Sequence, residues 1–148
     1  MSVERLLAAQ QKAAARGTVL AELIAARLGI TPTDLKCVHL LSQGPRTARA
    51  LADDLRLTPS ATTAVIDRLE RAGFATRNRG SADRRQVSVS AVPERVAQAT
   101  ALYRPLHERM ADLVAGYTDD QVALLLDFAE RSDEILAGEI ARVGESPA

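Results

Sequence analysis

A short helix, a tight corner and a second helix that begins at Thr58-Pro59 constrain the fold of this chain more than any other feature. Threonine suits the N-cap of a helix, and proline suits its first position. The second helix is predicted to run to about Ala72, because its inward apolar residues recur at spacings of four, four and three, and Gly73 ends it. These inward positions are Ala61, Val65, Leu69 and Ala72. The first helix is predicted from Thr47 to about Arg56. Together they predict a helix-turn-helix.

Longer helices are predicted on both sides of this motif. Upstream, the patterns indicate a helix over residues 4–28 and another from Thr31-Pro32 to about residue 43. Downstream, one helix runs from Pro93 to about Gly116, with a kink expected at Pro105. The last helix follows a capping box at Thr118–Gln121 and runs to about Val143.

Residues 74–92 have a different pattern. Residues 86–90 alternate polar and apolar side chains, which is the period of a β-strand, and residues 75–77 can pair with them. The predicted fold is therefore mainly α-helical, with a small β-hairpin wing directly after the helix-turn-helix. We expect a single domain over residues 1–148. In it, residues 30–92 form the winged helix-turn-helix, and residues 1–29 and 93–148 form a helical dimerisation part.

The charge distribution separates these parts, although the net charge of the chain is zero. Residues 46–86 contain nine arginines and five acidic residues, a net charge of +4, whereas residues 108–145 contain ten acidic residues and three arginines, a net charge of −7. The compact middle therefore suits a polyanion. The apolar residues of the terminal helices exceed what a thin wing domain can cover, which predicts a homodimer. The expected interface residues are Leu20, Leu23, Ile24, Leu125, Leu136 and Ile140.

In a helix-turn-helix the second helix lies in the major groove of DNA, and residues near its N-terminus reach the base edges. Hydroxyl side chains allow close approach there, and arginines further along can reach guanine or phosphate. We expect Thr63 and Arg68 to read bases. The candidate contacts of the two helices are Thr47, Thr58, Ser60, Thr62, Thr63, Arg68 and Arg71. The alternative is that the hydroxyls only cap the helix and the arginines only form a solvated face.

The predicted wing favours the DNA-binding interpretation. Four arginines and one acid lie within nine residues, and such mutual repulsion is costly without a polyanion nearby. Asp83 can hold the turn by bonding backbone amides. Arg85 is expected near the minor groove, and Arg79 and Arg84 near phosphates. The wing candidates are Arg77, Arg79, Asp83, Arg84 and Arg85.

The run TPSATTAVIDRLERAGFATRNRGSADRRQVSV resembles the recognition helix and wing of the multiple-antibiotic-resistance regulator (MarR) family. Upstream, TPTDLKCVHLLSQGPRTARALADDL resembles the second and third helices of that family. The resemblance covers residues 30–92. It implies a homodimeric transcriptional regulator of double-stranded, pseudo-palindromic DNA, with Asp83 and Arg85 in the wing motif. It also implies a repressor released by a small-molecule effector. Because only 3% of the residues are aromatic, an effector pocket would be mostly aliphatic.

Other classes of function find little support. No motif for a nucleophile, a phosphate loop or a metal site is present, so we expect no enzyme activity, cofactor or metal. Cys37 is the single cysteine and is interpreted as a small core residue, and His39 and His107 as ordinary histidines. No secretory signal or membrane span is expected, which predicts a cytoplasmic protein. The alternative function is a protein-interaction module, or a DNA binder without sequence preference or effector response.

Overall fold

The computed structural model describes residues 2–80 and 87–145. They form six helices and three strands, which confirms the predicted mainly α-helical fold. In chain order these are α1 (Val3–Leu28), α2 (Pro32–Ser42), β1 (Arg46–Thr47), α3 (Ala48–Leu55), α4 (Pro59–Arg71), β2 (Ala75–Arg79), β3 (Val87–Ala91), α5 (Pro93–Ala115) and α6 (Asp119–Glu145). The chain divides into two compact units, one ending at Tyr103 and the other beginning at Arg104.

The sheet has three strands, whereas the sequence predicted a two-stranded hairpin. Strand β3 lies in the middle and pairs antiparallel with β1 on one side and with β2 on the other. Val89 is therefore opposite Arg46 in β1 and opposite Arg77 in β2. The prediction missed β1 because two residues are too short to show an alternating pattern. This strand connects α2 to α3 and ties the helix-turn-helix to the wing.

The core of the first unit lies between the helix-turn-helix, α2 and the sheet. Leu51 of α3 and Leu69 of α4 are fully buried, as is Phe74 directly after α4. The cluster is completed by Cys37, Val38, Leu41, Val65, Ile66, Ala75 and Val89. The predicted inward positions Val65 and Leu69 are confirmed. Ile66 is buried beside them, so α4 presents a wider apolar face than the spacing of three and four suggested.

Arg95 in the first turn of α5 fixes the C-terminal end of α4. Its Nη2 donates a hydrogen bond to the carbonyl oxygen of Ala72 at 3.0 Å. Its guanidinium also lies 4.2 Å from the centroid of the Phe74 ring, within the range of a cation–π contact. A free carbonyl at the end of a helix carries partial negative charge, which a guanidinium satisfies well. The start of α5 therefore holds the end of α4.

In the second unit, the predicted capping box before α6 is confirmed. The backbone N–H of Gln121 donates to Thr118 Oγ1, and the backbone N–H of Thr118 donates to Gln121 Oε1 at 2.9 Å. Helix α6 buries none of its described side chains. The large apolar residues that it exposes are Leu124, Leu125, Leu126, Ile135, Leu136, Ile140 and Val143. An apolar helix face of this extent is typical of an interface.

The apolar residues of α1 are less available than the sequence suggested. Ile24 is buried and Leu20 half-buried, because both belong to a small cluster around Ala25 and Leu35 inside the first unit. They therefore serve the fold of their own chain, contrary to the expectation that they form an interface. Leu23 remains exposed, in keeping with that expectation.

Candidate nucleic-acid interface

The corner between α3 and α4 is built by local hydrogen bonds. Thr47 is the N-cap of α3, as predicted, and its Oγ1 accepts from the backbone N–H of Ala50 at 3.1 Å. At the other end, Arg56 adopts a left-handed conformation with φ of 53°, and the backbone N–H of Leu57 donates to the carbonyl of Ala52 at 2.9 Å. This ending reverses the chain at once, so α4 begins four residues after α3 ends.

The first turn of α4 exposes hydroxyl groups. Thr58 is the N-cap, and its Oγ1 accepts from the backbone N–H of Ala61 at 3.2 Å and lies 3.3 Å from Ser60 Oγ. Thr63 is exposed, and its Oγ1 donates to the carbonyl of Pro59 at 3.0 Å. While this hydrogen bond is kept, the hydroxyl oxygen can still accept a hydrogen bond from a partner.

Thr62 was expected on the outward face of α4, and the structure corrects this. The residue is 1% exposed, and its Oγ1 donates to the carbonyl of Thr58 at 2.9 Å. The physical reason is the helical period: a residue three positions before Val65 and four before Ile66 lies on the same face as both. Thr62 is a buried residue with a satisfied hydroxyl and does not contribute to the exposed surface.

Arg68 makes a bidentate ion pair with Asp34 of α2. Its Nε donates to Asp34 Oδ2 at 3.2 Å, and its Nη2 donates to Asp34 Oδ1 at 2.8 Å. The hydrogen bond to Asp34 raises the pKa of the Arg68 guanidinium above its ordinary value. Asp34 is 2% exposed and also accepts from the backbone N–H of Thr31, within a capping box that starts α2. One carboxylate therefore serves two helices.

The role of Asp34 was not predicted, although half of its signal is visible in the sequence. Thr31-Pro-Thr-Asp34 has the spacing of a capping box. The pairing with Arg68 joins residues 34 positions apart, so no local pattern could have shown it.

Arg77 is also engaged inside the protein. Its Nη2 donates to Asp67 Oδ1 at 2.7 Å, and its Nη1 pairs with Glu70. Both acids belong to α4, so Arg77 joins β2 to α4 through two ion pairs. In the same manner, Arg46 of β1 pairs with Asp54 of α3 at 2.7 Å. These arginines join neighbouring elements and have much of their charge neutralised.

The exposed arginines of α4 and β2 differ from these. Arg71 and Arg79 are exposed, and among the described residues neither pairs with a carboxylate. Arg71 Nε donates to the carbonyl of Asp67 at 3.3 Å, a contact that leaves its charge in place. Asp83, Arg84 and Arg85 fall within residues 81–86 and lie outside the described residues. Their predicted roles remain predictions.

The single cysteine is placed as a core residue. Cys37 is fully buried, and burial, assisted by the negative charge of Asp34, raises the pKa of its thiol to about 11. A thiol of this kind stays protonated and weakly nucleophilic at neutral pH. In the part of the chain that the structure describes, no group of three or more His, Cys, Asp and Glu residues is arranged to hold a metal ion.

The arrangement of a short helix, a tight corner, an exposed second helix and an adjoining β-wing is that of a winged helix-turn-helix. The sequence pattern of the MarR family matches residues 30–87. A curated relative, the uncharacterized HTH-type transcriptional regulator YcgE of Bacillus subtilis (strain 168), is 33% identical over 134 residues, which cover 90% of this chain and 87% of YcgE. The chain belongs to the MarR family.

Solved structures of MarR proteins share its fold. A MarR transcriptional regulator from Methanosarcina mazei Go1 aligns with a TM-score of 0.65 and 18% identity, covering 91% of this chain and 98% of that one. Wild-type MarR from E. coli in its apo form aligns with a TM-score of 0.60 and 21% identity, covering 89% and 96%. Membership of this family confirms the prediction of a transcriptional regulator and not an enzyme. No described helix has the length and apolar character that a membrane crossing needs.

Proposed function

We propose that this MarR-family regulator acts as a cytoplasmic homodimer that binds a pseudo-palindromic DNA duplex in a sequence-specific manner. The observation that carries the proposal is the exposed first turn of α4. Its hydroxyl groups, Thr58, Ser60 and Thr63, stand free of the core immediately after the corner. Small polar side chains at that position allow a helix to approach base edges closely. We assign Thr47, the N-cap of α3, to contact with the DNA backbone.

Thr63 gives the proposal a chemical direction. While its hydroxyl proton is donated to Pro59, the side chain offers an acceptor to a partner. The donors in the major groove are the amino groups of adenine and cytosine. In this arrangement Thr63 accepts a hydrogen bond from one such amino group. Replacing Thr63 with valine, which keeps the shape of the side chain, should weaken binding to the preferred duplex and leave binding to unrelated DNA unchanged.

The electrostatic part of binding is assigned to the arginines that lack an internal carboxylate. Arg71 and Arg79 meet phosphates, together with Arg84, while Arg85 enters the minor groove and Asp83 orders the tip. Each phosphate contact contributes about 0.9 to the slope of log K against log salt. Because a dimer uses each residue twice, Arg71→Ala or Arg79→Ala should lower the slope by about 1.8. Arg131→Ala in the acidic helix α6 is the matched control and should leave the slope unchanged.

Repression relieved by a small-molecule effector belongs to the same proposal and rests on family membership. The terminal helices, residues 1–29 and 93–148, form the dimerisation part. The preferred duplex is the one recovered by selection from a random pool. Fluorescence anisotropy with this duplex and with a scrambled duplex, over a range of salt concentrations, tests the proposal as a whole. Equal affinity for both duplexes would instead indicate a non-specific DNA binder. Absence of DNA binding would indicate a protein-interaction module.

A further inference from the structure

The ion pair between Arg68 and Asp34 indicates that Arg68 has a different role from Arg71, the other arginine of α4. A guanine-reading arginine presents two N–H groups along one edge of its guanidinium to the base. Arg68 already directs Nε and Nη2 at the two oxygens of one carboxylate. Its side chain is 42% exposed, whereas that of Asp34 is only 2% exposed. Withdrawing Arg68 towards DNA would leave a buried carboxylate without its charge partner, which is strongly unfavourable.

The pair lies more than one helical turn from Thr63, the residue proposed to read a base. Arg68 follows Thr63 by five residues, which corresponds to about 7.5 Å along a helix axis. A tilt of about 10° at Arg68 would therefore move Thr63 by about 1.3 Å. Hydrogen bonds to bases tolerate only a few tenths of an ångström. The contact that fixes the tilt of α4 thus decides whether Thr63 meets its base.

We propose that Arg68 is a positioning residue, and that its bidentate pair with Asp34 holds α4 at the angle on α2 that sequence recognition requires, without contacting DNA. This rests on the proposed DNA-binding function. Asp34 suits the task because it is itself fixed: the same carboxylate accepts from the backbone N–H of Thr31 and caps α2. The orientation of α4 is therefore fixed relative to the start of α2. Arg77 and Arg95 hold α4 at its other contacts, to β2 and α5.

The test compares Arg68→Gln, Asp34→Asn, the double variant and Arg71→Gln with the unchanged protein. Two quantities are measured by fluorescence anisotropy: the ratio of Kd for a scrambled duplex to Kd for the preferred duplex, and the slope of log K against log salt on the scrambled duplex. We expect Arg68→Gln to lower the ratio at least about tenfold with the slope unchanged, because no phosphate contact is lost. Arg71→Gln should do the reverse, lowering the slope by about 1.8 and keeping the ratio.

Asp34→Asn is the decisive variant, because Asp34 is buried in α2 and cannot contact DNA directly. It should lower the ratio as much as Arg68→Gln does, and the double variant should be no worse than the poorer single variant. Arg68→Lys should recover part of the ratio, because lysine keeps the charge but not the bidentate geometry. Thermal unfolding followed by circular dichroism identifies variants that fail to fold. If Asp34→Asn fails to fold, Arg68→Lys and the double variant still decide, because neither leaves a buried charge without a partner.

The inference is overturned if Arg68→Gln lowers the salt slope by about 1.8, or if Asp34→Asn keeps the discrimination of the unchanged protein. If the unchanged protein still prefers its duplex over the scrambled one, either result refutes only the positioning role and leaves the proposed function standing. If the unchanged protein itself binds both duplexes equally, the proposed function fails, and the inference fails with it.

Discussion

The exposed apolar face of α6 predicts how tightly two chains associate. Leu136 is 61% exposed in the single chain. Burying a whole leucine side chain contributes about 1.5–3 kcal/mol, so covering this fraction contributes about 1–2 kcal/mol per protomer. A two-fold interface uses each residue twice, which gives about 2–4 kcal/mol per dimer. Leu136→Ala keeps one methyl group, so we expect the dissociation constant of the dimer to rise by roughly 10- to 150-fold.

Sedimentation equilibrium over a range of protein concentrations measures this change directly. Glu134→Ala is the matched control, because Glu134 lies two residues earlier and therefore on the opposite side of the helix. It should leave the dissociation constant unchanged. A Leu136→Ala dimer as tight as the unchanged one would show that this face is not the interface. A mass of 15.9 kDa for the unchanged protein at micromolar concentration would refute the dimer itself.

Three further predictions concern the first unit. Leu51→Ala opens a cavity in the core, since Leu51 is fully buried, and should lower the free energy of unfolding by about 2–5 kcal/mol in urea titration. An unchanged free energy of unfolding would contradict that burial. Gly17→Ala within α1 should raise the free energy of unfolding by about 0.5–1 kcal/mol, and Gly73→Ala should lower it by about 1–2 kcal/mol. The reason is that, of these two glycines, only Gly73 has a positive φ, of 77°. Equal effects of the two substitutions would refute this backbone argument. The Cys37 thiol should resist Ellman's reagent at pH 8 in the native state and react on unfolding. Its raised pKa means that stability present below pH 9 is lost as the pH rises towards 11, and rapid native reaction would contradict the burial.

Local signals in the sequence were sufficient for the helices and their starts. Thr47, Thr58 and the Thr118–Gln121 box act within one turn of chain, so their chemistry can be read directly from neighbouring residues. The same holds for Gly73, which ends the second helix of the motif. The wing followed from the alternation in residues 86–90, and the family resemblance agreed with both.

Interactions across the fold could not be predicted in this way. Arg68 and Arg71 look alike in the sequence, yet Arg68 pairs with a buried acid 34 residues away and Arg71 pairs with no carboxylate among the described residues. Thr62 and Thr63 are adjacent, and the packing of α4 against the core decides which is buried. Charge counts predicted a basic region correctly, but they could not show which arginines are neutralised by Asp34, Asp67 and Glu70.

Selection of bound duplexes from a random pool tests the central claim most directly, because it asks whether the exposed start of α4 reads sequence and whether two copies do so together. We predict recovery of a palindrome whose half-sites are centred about one helical turn, roughly 34 Å, apart. Each half-site should contain at least one base pair whose enrichment disappears in the Thr63→Val variant. Recovery of no preferred sequence, or of a site without two-fold symmetry, would contradict the account.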